Sequence, residues 1–360
     1  MKGISIKSQE EIELMREAGR ILAITHEEMR KALKPGMTTY DIDKLGEEVI
    51  RSYHCEPSFL NYQGYPASVC VSVNDEVVHG IPHKEHFLDE GDIVSLDAGV
   101  IYKGYHSDAA RTYGIGEIDD DAKKLIEVTR QSFFEGIKFA KAGNHLNDIS
   151  AAIQKYAESF GFGVVRDLVG HGIGSHLHED PEIPNFARKR KGILLQPGMT
   201  LAIEPMITEG SYEVVWLDDD WTVMTEDGGW AAHYENTIVI TDGKPEILTL
   251  TEEEAAEAGY KVKTDKVMMH SNGKTIIVGG ERGFMKLISD SETGKILGAH
   301  LMCERATDMI SEFTSAMAGG LTVGEMAGVM RPHPTFNEAI SELFETAKDG
   351  VSIHTAPQNR

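Results

Sequence analysis

Residues 92 to 116 read DIVSLDAGVIYKGYHSDAARTYGIG, a stretch rich in strand-forming residues on both sides of Lys103-Gly104. A two-residue turn at that dipeptide predicts an antiparallel hairpin in which residue 102 faces 105, 99 faces 108 and 97 faces 110. Asp97 and Asp108 then share one face, with Cβ atoms about 7 Å apart. Carboxylates at that spacing can close on two divalent ions, which lie about 3.5 to 4 Å apart in two-metal sites. A solvent-facing hairpin with scattered acids is the alternative for this stretch alone.

Two further acidic residues adjoin apolar strands. Glu204 lies in the segment LAIEPM, before a proline, and Glu235 precedes the apolar segment TIVI. An unpaired carboxylate is costly to bury, and no run of Lys or Arg is placed to neutralise four acids. Two divalent cations would balance four negative charges. One neutral imidazole completes a ligand set suited to Mn²⁺, Fe²⁺, Co²⁺ or Zn²⁺.

Short motifs recur along the first 250 residues. The triplet HGI occurs at 79 to 81 and again at 171 to 173, and HSD at 106 to 108 is echoed by HYE at 233 to 235. These echoes indicate two related halves that each contribute acids and a histidine to one site. The second HGI belongs to GHGIGSHLHEDP, which matches neither the G-x-G-x-x-G phosphate pattern nor the H-E-x-x-H zinc helix.

The secondary structure is predicted to be a mixture of helices and strands. Ser8 and Glu11 form a capping-box pair before apolar residues at helical spacing. The predicted helices cover residues 8 to 33, 40 to 53, 119 to 141 and 147 to 160, and a strand is predicted at 68 to 73. The fold class is therefore α+β.

Residues 1 to about 250 resemble a type I methionine aminopeptidase. The segments that carry the resemblance, in family order, are SVNDEVVHGIP, DIVSLDAGVIYKGYHSDAARTY, GHGIGSHLHEDP, PGMTLAIEPM and HYENTIVI. The resemblance implies the pita-bread (creatinase/aminopeptidase) fold with pseudo-twofold halves. It also implies removal of the initiator methionine from nascent proteins when the second residue is small, through a water that bridges two metal ions.

The resemblance also implies roles for individual residues. Glu204 would accept the water proton, His178 would stabilise the oxyanion and His79 would contact the scissile amide. Glycines would let the backbone between His171 and His178 turn sharply and pass close to other strands. The implied metal ligands are Asp97, Asp108, His171, Glu204 and Glu235, with Asp108 and Glu235 bridging. The side chains implied for the methionine pocket, beside His79 and His178, are Phe59, Tyr62, Tyr65, Cys70 and Trp221.

Two alternatives stand beside this interpretation of the first segment. A catalytically inactive pita-bread protein used for binding would have lost ligands, whereas all five ligand positions carry matching residues. A proline-specific peptidase such as prolidase shares the fold. The short chain before Asp97 and the methionine-type motifs disfavour it.

Residues 251 to 360 resemble the C-terminal dimerisation domain of dihydrolipoamide dehydrogenase and its flavin disulfide reductase relatives. The carrying segments are LTEEEAAEAGY, GFMKLISDSETGKILGAHLMCERATDMISEF and GGLTVGEMAGVMRPHPTFNEAI. The family's HPT-x-x-E pattern gives an acid/base dyad, His333 and Glu338, without an FAD-binding GxGxxG, a redox C-x4-C or an NAD domain to act with. We therefore predict a catalytic domain at 1–250 and a smaller α+β dimerisation-type domain at 251–360, which would form a homodimer. Docking onto a dihydrolipoamide dehydrogenase-type partner and an artificial or accidental gene fusion are the alternatives.

The amino-acid composition limits the kinds of molecule that the protein is expected to bind. A formal charge of −23 argues against DNA and anionic membranes, because phosphate contacts need clustered cations. The run RKRK at 188 to 191 is predicted to be a solvated loop, with contact to ribosomal RNA as the alternative. Neither a signal peptide nor an apolar span of 18 residues is present, which predicts a cytoplasmic protein. Cys55, Cys70 and Cys303 lack C-x-x-C spacing and are expected to be reduced thiols.

Overall fold

The computed structural model describes residues 3–251, 254, 262–269, 272–278, 283–291 and 293–350. The chain divides into two compact units, Met1–Thr251 and Glu252–Arg360. Most of the segment LTEEEAAEAGY, which the sequence predicts to open the second domain, lies outside the described residues. Within the described ranges, no helix is both long and apolar enough to cross a membrane.

The first unit combines four α-helices with four antiparallel sheets. Its helices are α1 (Gln9–Ala32), α2 (Thr39–Ser52), α3 (Asp120–Ile137) and α4 (Leu146–Glu158), with a short 3-10 helix at Tyr62–Gly64. Its strands are β1 (Glu56–Pro57), β2 (Val69–Val73), β3 (Glu76–Val78), β4 (Ile93–Tyr102), β5 (Tyr105–Gly114), β6 (Gly163–Val164), β7 (Gly170–Gly172), β8 (Glu179–Ile183), β9 (Thr200–Ile203), β10 (Met206–Thr208), β11 (Val214–Trp216), β12 (Val223–Thr225), β13 (Ala231–His233), β14 (Asn236–Val239) and β15 (Glu246–Ile247). The sheet orders are β1-β4-β2 with β5 beside β4, β13-β10-β6, β11-β12-β3, and β15-β14-β9-β7-β8.

Helix starts follow the capping residues. Ser8 accepts a hydrogen bond from the Glu11 amide, and the Glu11 carboxylate accepts one from the Ser8 amide at 2.7 Å, as the capping-box prediction requires. The first, second and fourth predicted helices are confirmed to within one or two residues. The third ends at Ile137, earlier than predicted. The chain turns there because the amides of Ala142 and Gly143 donate to the carbonyl oxygens of Thr241 and Leu195.

The β4–β5 hairpin has the predicted register. Tyr102 pairs with Tyr105, Gly99 with Asp108 and Asp97 with Ala110. Lys103 and Gly104 both have positive φ, of 48° and 84°, as a type I′ turn requires. A side chain at Gly99 is excluded, because its Cβ would lie 2.7 Å from Ser58 Cβ. The hairpin therefore presents Asp97 and Asp108 on one face.

Apolar residues of α1 and α2 pack against the sheet that contains this hairpin. α1 and α2 bury Leu22, Met29 and Ile42 against Val71 and Leu96 of the sheet. A second cluster fills the other half of the unit between α3, α4 and β9–β14, and includes Phe133, Ile149, Ile153, Ile203 and Ile238. Each fully buried side chain of this size stabilises the fold by about 1.5 to 3 kcal/mol. The strands that carry the candidate site are thus anchored to rigid cores.

The second unit is α+β by itself. Its strands are β16 (Val262–Met268), β17 (Phe284–Asp290) and β18 (Ile296–Met302), in the antiparallel order β16-β17-β18. Its described helices are α5 (Gly273–Val278), α6 (Ala306–Ala318), α7 (Val323–Ala327) and α8 (Glu338–Asp349). Alternate residues of β17 are buried, including Met285 and Leu287. Phe313 and Phe344 stack in the core with ring centroids 5.4 Å apart.

Candidate metal centre

The two acids of the hairpin are buried side by side. Asp97 on β4 is 9% exposed and Asp108 on β5 is 4% exposed. Burial raises the pKa of Asp97 to about 7, although a hydrogen bond with Asp108 opposes the rise. Burial also raises the pKa of Asp108, and the charges of Glu235 and Asp97 add to the effect. Two carboxylates in this setting need a cation to remain ionised.

Strands of the second half bring three more groups to the same place. Glu204 follows the last residue of β9, Glu235 precedes β14, and β14 pairs with β9 so that Asn236 lies opposite Ile203. His171 on β7 pairs with Ala202 of β9. Its Nε2 lies 3.7 Å from Asp108 Oδ2 and 3.6 Å from Glu204 Oε1. The ladder β14-β9-β7 therefore places two carboxylates and an imidazole against the hairpin.

The arrangement has the dimensions of a cation site. One ligand atom from each of Asp108, His171 and Glu235 lies within 4.8 Å of the other two. Burial raises the pKa values of Glu204 and Glu235, and neighbouring acids raise them further. All five predicted ligands converge, Asp97 through its contact with Asp108 and Glu204 through its contact with His171.

Carboxylate oxygens without hydrogen-bond partners among the described residues are suited to coordinating a cation. Asp97 Oδ1, Asp108 Oδ1 and Glu235 Oε1 are buried and accept no hydrogen bond from any described residue. Buried carboxylate oxygens without partners are costly unless a cation coordinates them. The donor set is rich in oxygen, with the imidazole of His171 as its nitrogen ligand. That chemistry fits divalent ions of the Mn²⁺ to Zn²⁺ series.

The tautomer of His171 also suits metal binding. Its Nδ1 lies 2.9 Å from the carbonyl oxygen of Gly172, so Nδ1–H donates and the lone pair of Nε2 faces the acids. Burial lowers the pKa of His171 to about 3, which keeps the ring neutral. A neutral imidazole can ligate a metal ion without adding charge to the site.

Close backbone contacts account for the glycines around His171. A Cβ at Gly172 would lie 2.2 Å from the carbonyl oxygen of Asp180, and one at Gly174 would lie 2.2 Å from Lys7 Cε. Neither glycine has φ in the left-handed region. The expectation of close strand approach is confirmed, whereas these two glycines do not make the sharp turn by a left-handed backbone.

Of the two histidines predicted not to bind metal, one lies beside His171 and the other beside Trp221. The ring of His178 is exposed, its centroid is 4.2 Å from that of His171, and its Nδ1 is 2.7 Å from Tyr62 Oη. His79 follows β3 with a positive φ of 60°, and its ring centroid lies 6.3 Å from that of Trp221. Burial lowers the pKa of His79 to about 4, and also lowers the pKa of His178.

The side chains predicted for the pocket share one apolar cluster. Buried residues of this cluster include Phe59, Tyr65 and Cys70, and Tyr62 and Trp221 pack against it. The rings of Tyr65 and Trp221 are 5.1 Å apart in an edge-to-face arrangement. The cluster also contains residues that the sequence did not single out for it: Ile12, Met15 and Ile173. Because Cys70 pairs with Asp97 and Tyr62 contacts His178, this apolar cluster adjoins the metal centre.

Residues 13–242 of the sequence match metallopeptidase family M24. The chain belongs to this family. A methionine aminopeptidase of Clostridium acetobutylicum is 57% identical to this metallopeptidase over 249 residues, which are 69% of this chain and 100% of that protein. Methionine aminopeptidase 1 of Bacillus subtilis is 51% identical over 246 residues, 68% of this chain and 99% of its own. The resemblance of residues 1 to 250 to methionine aminopeptidases is confirmed.

Solved structures confirm the pita-bread fold of the metallopeptidase. The crystal structure of a methionine aminopeptidase from Thermotoga maritima is 49% identical with a TM-score of 0.67, and the match covers 69% of this chain and 99% of that one. A Xaa-Pro dipeptidase from Bacillus anthracis is 26% identical with a TM-score of 0.56, over 68% of this chain and 61% of that one. The fold is therefore shared by both kinds of peptidase, at higher similarity to the first.

Residues 244–344 of the metallopeptidase match a second family, the dimerisation domain of pyridine nucleotide-disulphide oxidoreductases. The match begins before the second unit, but β15 (Glu246–Ile247) pairs with β14 in the first unit. In the second unit, His333 Nδ1 lies 2.7 Å from Glu338 Oε1, so the predicted dyad is formed. The His333 side chain is 78% exposed.

Sequence reasoning missed two buried residues of the metal centre. His233, at the end of β13, has Nε2 3.8 Å from Glu204 Oε2 and 4.0 Å from Glu235 Oε2. Arg111 of β5 donates to the carbonyl oxygen of Glu235 from a side chain that is almost fully buried. The echo between HSD and HYE drew attention to position 233, but burial of both side chains depends on tertiary packing.

Proposed function

We propose that this metallopeptidase is a dinuclear methionine aminopeptidase that removes the initiator methionine from nascent proteins whose second residue is small. The convergence of five ligand groups, four of them buried, beside an apolar cluster carries the proposal. The family and its methionine aminopeptidase relatives support it. Nascent proteins are made in the cytoplasm, and the reaction is proposed to take place there.

Two divalent ions, Mn²⁺, Fe²⁺, Co²⁺ or Zn²⁺, would be held by Asp97, Asp108, His171, Glu204 and Glu235. When bound, such ions supply Lewis acidity, which lowers the pKa of water and polarises a carbonyl group. Charge supports two ions, because two divalent cations would balance four carboxylates and the neutral His171 adds no charge. Unpartnered oxygens on three of the acids support this ligand set.

The chain's own residues supply proton transfer and orientation. Glu204 has Oε1 towards His171 and Oε2 towards His233, so one oxygen can face a cation while the other takes a proton. His178, held through Nδ1 by Tyr62, can direct Nε2 towards an oxyanion. His79 is proposed to hydrogen-bond to the scissile amide from beside Trp221. Binding of the substrate's free α-amine at this site is proposed to restrict cleavage to the first peptide bond.

The apolar cluster is proposed to receive the methionine side chain. Phe59, Tyr65, Cys70 and Trp221 offer aromatic and thiol surfaces, which suit a polarisable thioether. A small second residue would be accepted where the cluster meets His79 and His178. The catalytically inactive alternative predicts that the same pocket binds methionine peptides without cleaving them.

Peptide hydrolysis tests the proposal directly. The purified full chain, stripped with chelator and reloaded with Mn²⁺ or Co²⁺, is assayed on Met-Ala-Ser, Met-Leu-Ser and a Xaa-Pro dipeptide. We expect metal-dependent release of methionine from Met-Ala-Ser, at least 100-fold slower release from Met-Leu-Ser and no Xaa-Pro cleavage. Asp108→Asn serves as the ligand control and should lose both metal and activity. Intact Met-Ala-Ser with the metal-loaded protein would exclude the proposed activity.

The second unit, residues 251–360, is proposed to make the enzyme a homodimer. Apolar side chains on its surface support this role: Ile276 is 66% exposed, Ile277 67% and Met330 93%. Light scattering of the full chain, of residues 1–250 and of the double variant Ile276→Glu/Ile277→Glu tests the proposal. A monomeric full chain would exclude homodimerisation. Pull-down with a dihydrolipoamide dehydrogenase lacking its own dimerisation domain tests the docking alternative. A monomeric full chain that also fails to bind this dehydrogenase would favour a fusion without function.

The run Arg188–Lys191 is proposed to contact ribosomal RNA. All four side chains are exposed, and the loop is fixed at both ends because Arg188 N donates to Asn147 Oδ1 and Asn147 N donates to the carbonyl oxygen of Lys191. Four clustered cations on a chain of net charge −23 are the feature that a polyanion would attract. Ribosome co-sedimentation of wild type and a variant with all four residues changed to Ser tests this contact; equal binding would exclude it.

A further inference from the structure

His233 is a buried imidazole without a hydrogen-bond partner among the residues that the structure describes. Its side chain is 2% exposed, and neither ring nitrogen makes a hydrogen bond within the described part of the chain. A neutral imidazole carries one N–H donor and one acceptor nitrogen. Leaving such a group unsatisfied costs about 1 to 3 kcal/mol. The ring therefore needs a partner that forms when the site is in its working state.

The backbone fixes the position of this ring. Thr112 Oγ1 donates to the carbonyl oxygen of His233 and accepts from the His233 amide, each at 2.9 Å. β13 also pairs with β10, with His233 opposite Met206. Because both strands are buried, the imidazole cannot swing out to water. Its direction is a property of the fold.

The ring points at the acids of the metal centre. Nε2 of His233 lies 3.8 Å from Glu204 Oε2 and 4.0 Å from Glu235 Oε2. The other oxygen of Glu204, Oε1, lies 3.6 Å from His171 Nε2. Glu204 is thus placed between two imidazoles, with one carboxylate oxygen facing each ring.

We propose that His233 is a positioning residue for Glu204: its Nε2–H donates to Glu204 Oε2 and fixes the carboxylate plane, so that Oε1 faces the cations. The proposal rests on the proposed dinuclear site. A carboxylate oxygen has two lone pairs, so Oε2 can accept from His233 and still take a proton from water. The separation between His233 Nε2 and Glu204 Oε2 is about 1 Å longer than a hydrogen bond. A small movement of the Glu204 side chain closes this gap. Without the donor, the carboxylate can rotate away from the cations.

A series of substitutions at position 233 separates this role from simple packing. His233→Gln places an amide N–H near the position of Nε2, and His233→Asn places one near Nδ1, where it cannot reach Glu204. His233→Leu fills the space without any donor. The three variants share the same burial, so each is a matched control for the others.

The main readout is the affinity of the chelator-stripped full chain for Mn²⁺, measured by titration calorimetry. Loss of a residue that orients a metal ligand typically weakens metal binding or activity 10- to 100-fold. We expect Mn²⁺ binding at least 10-fold weaker in the Leu and Asn variants and within about 3-fold of wild type in the Gln variant. At saturating Mn²⁺, kcat for Met-Ala-Ser should follow the same order, with KM changed less than 3-fold.

The proposal would be overturned if the Gln and Leu variants lost Mn²⁺ affinity equally, or if the Leu variant bound Mn²⁺ as tightly as wild type. Thermal unfolding of the metal-free variants identifies any that are misfolded, and the comparison of Gln with Asn stands if Leu does not fold. A wild type that binds Mn²⁺ but leaves Met-Ala-Ser intact would remove the proposed activity. The order of the four affinities would still decide the role of His233.

Discussion

Arg111, on the strand that carries Asp108, donates a hydrogen bond to the main-chain carbonyl oxygen of Glu235. Its guanidinium group also donates to Asn236 Oδ1 at 2.8 Å and to the carbonyl oxygen of Thr249 at 3.2 Å. The residue is 2% exposed. One buried cation therefore joins the two strands that bring acids to the metal centre from opposite halves of the fold.

Replacing Arg111 by Met should destabilise the metal-free protein by about 3 to 5 kcal/mol, because removal of a buried charged donor leaves its acceptors unpaired. Arg111→Lys keeps the charge but loses the planar fork, and about half that effect is expected. Urea unfolding at pH 7.5 measures both. The control is Arg51→Met, which removes a surface ion pair with Glu47 and should cost less than about 1 kcal/mol. An Arg111→Met protein as stable as the control would contradict the prediction.

His178→Ala and His79→Ala should lower kcat while leaving bound metal unchanged, since neither ring is a proposed ligand. Removal of one oxyanion donor typically costs 100- to 1,000-fold in kcat, and we expect an effect of that size for His178. Tyr62→Phe, which removes the partner of His178 Nδ1, should lower kcat about 5- to 10-fold. Metal analysis after gel filtration accompanies the kinetics. Loss of metal from either Ala variant would show that the ring is a ligand.

Glu76→Gln should remove a pH-dependent loss of stability. Burial raises the pKa of the half-buried Glu76 to about 7, although the Val73 amide donates to it at 2.8 Å. Below about pH 4.5 the group is protonated in both folded and unfolded chains. Between about pH 4.5 and 7 the folded chain retains a proton that the unfolded chain has released, so wild-type stability falls as pH rises. At pH 8 the Gln variant should be about 1 to 3 kcal/mol more stable.

Urea unfolding of metal-free protein at pH 4.5, 6 and 8 checks this prediction. The curves of wild type and Glu76→Gln should converge at the lowest pH and separate as pH rises. A stability difference between the two proteins that stays constant across the three pH values would mean that Glu76 has the same pKa in the folded and unfolded chains.

Lys7→Met should destabilise the segment that carries His171 and His178. The Lys7 side chain is 3% exposed and its Nζ pairs with Glu179, while its main-chain amide donates to the carbonyl oxygen of Gly198 at 2.8 Å. Breaking a buried ion pair from one side costs about 3 to 5 kcal/mol. Lys31→Met, at an exposed pair with Glu28, is the matched control. Hydrogen exchange of residues 170–183 should accelerate only in the Lys7 variant, and unchanged exchange there would count against the role of the pair.

Local sequence was sufficient for the hairpin and most helices. Lys103-Gly104 is a strong turn signal, and the alternation of the two strands then fixes which residues share a face with Asp97. The Ser8–Glu11 pair sets the start of α1 in the same way. These features depend on neighbours in the chain, so composition and spacing can predict them.

Tertiary packing decided what the sequence could not show. Charge balance and the repeated motifs grouped Glu204 and Glu235 with the hairpin acids, but His171 was assigned only through the family resemblance, because the β14-β9-β7 ladder is non-local. His233 and Arg111 have the same local context as ordinary strand residues. The face of α1 with Ile12 and Met15 joins the apolar cluster of the pocket only after the helix packs on the sheet.

The two-residue turn at Lys103-Gly104 also restricts how this protein can change in length. Side chains alternate across a strand, so deletion of one residue between Tyr105 and Ser107 would turn Asp108 to the opposite face of the sheet. Deletions or insertions in pairs would preserve the face but shift Asp108 along the strand, away from Glu235. Natural variation and laboratory evolution should therefore alter this hairpin by substitution rather than by gained or lost residues.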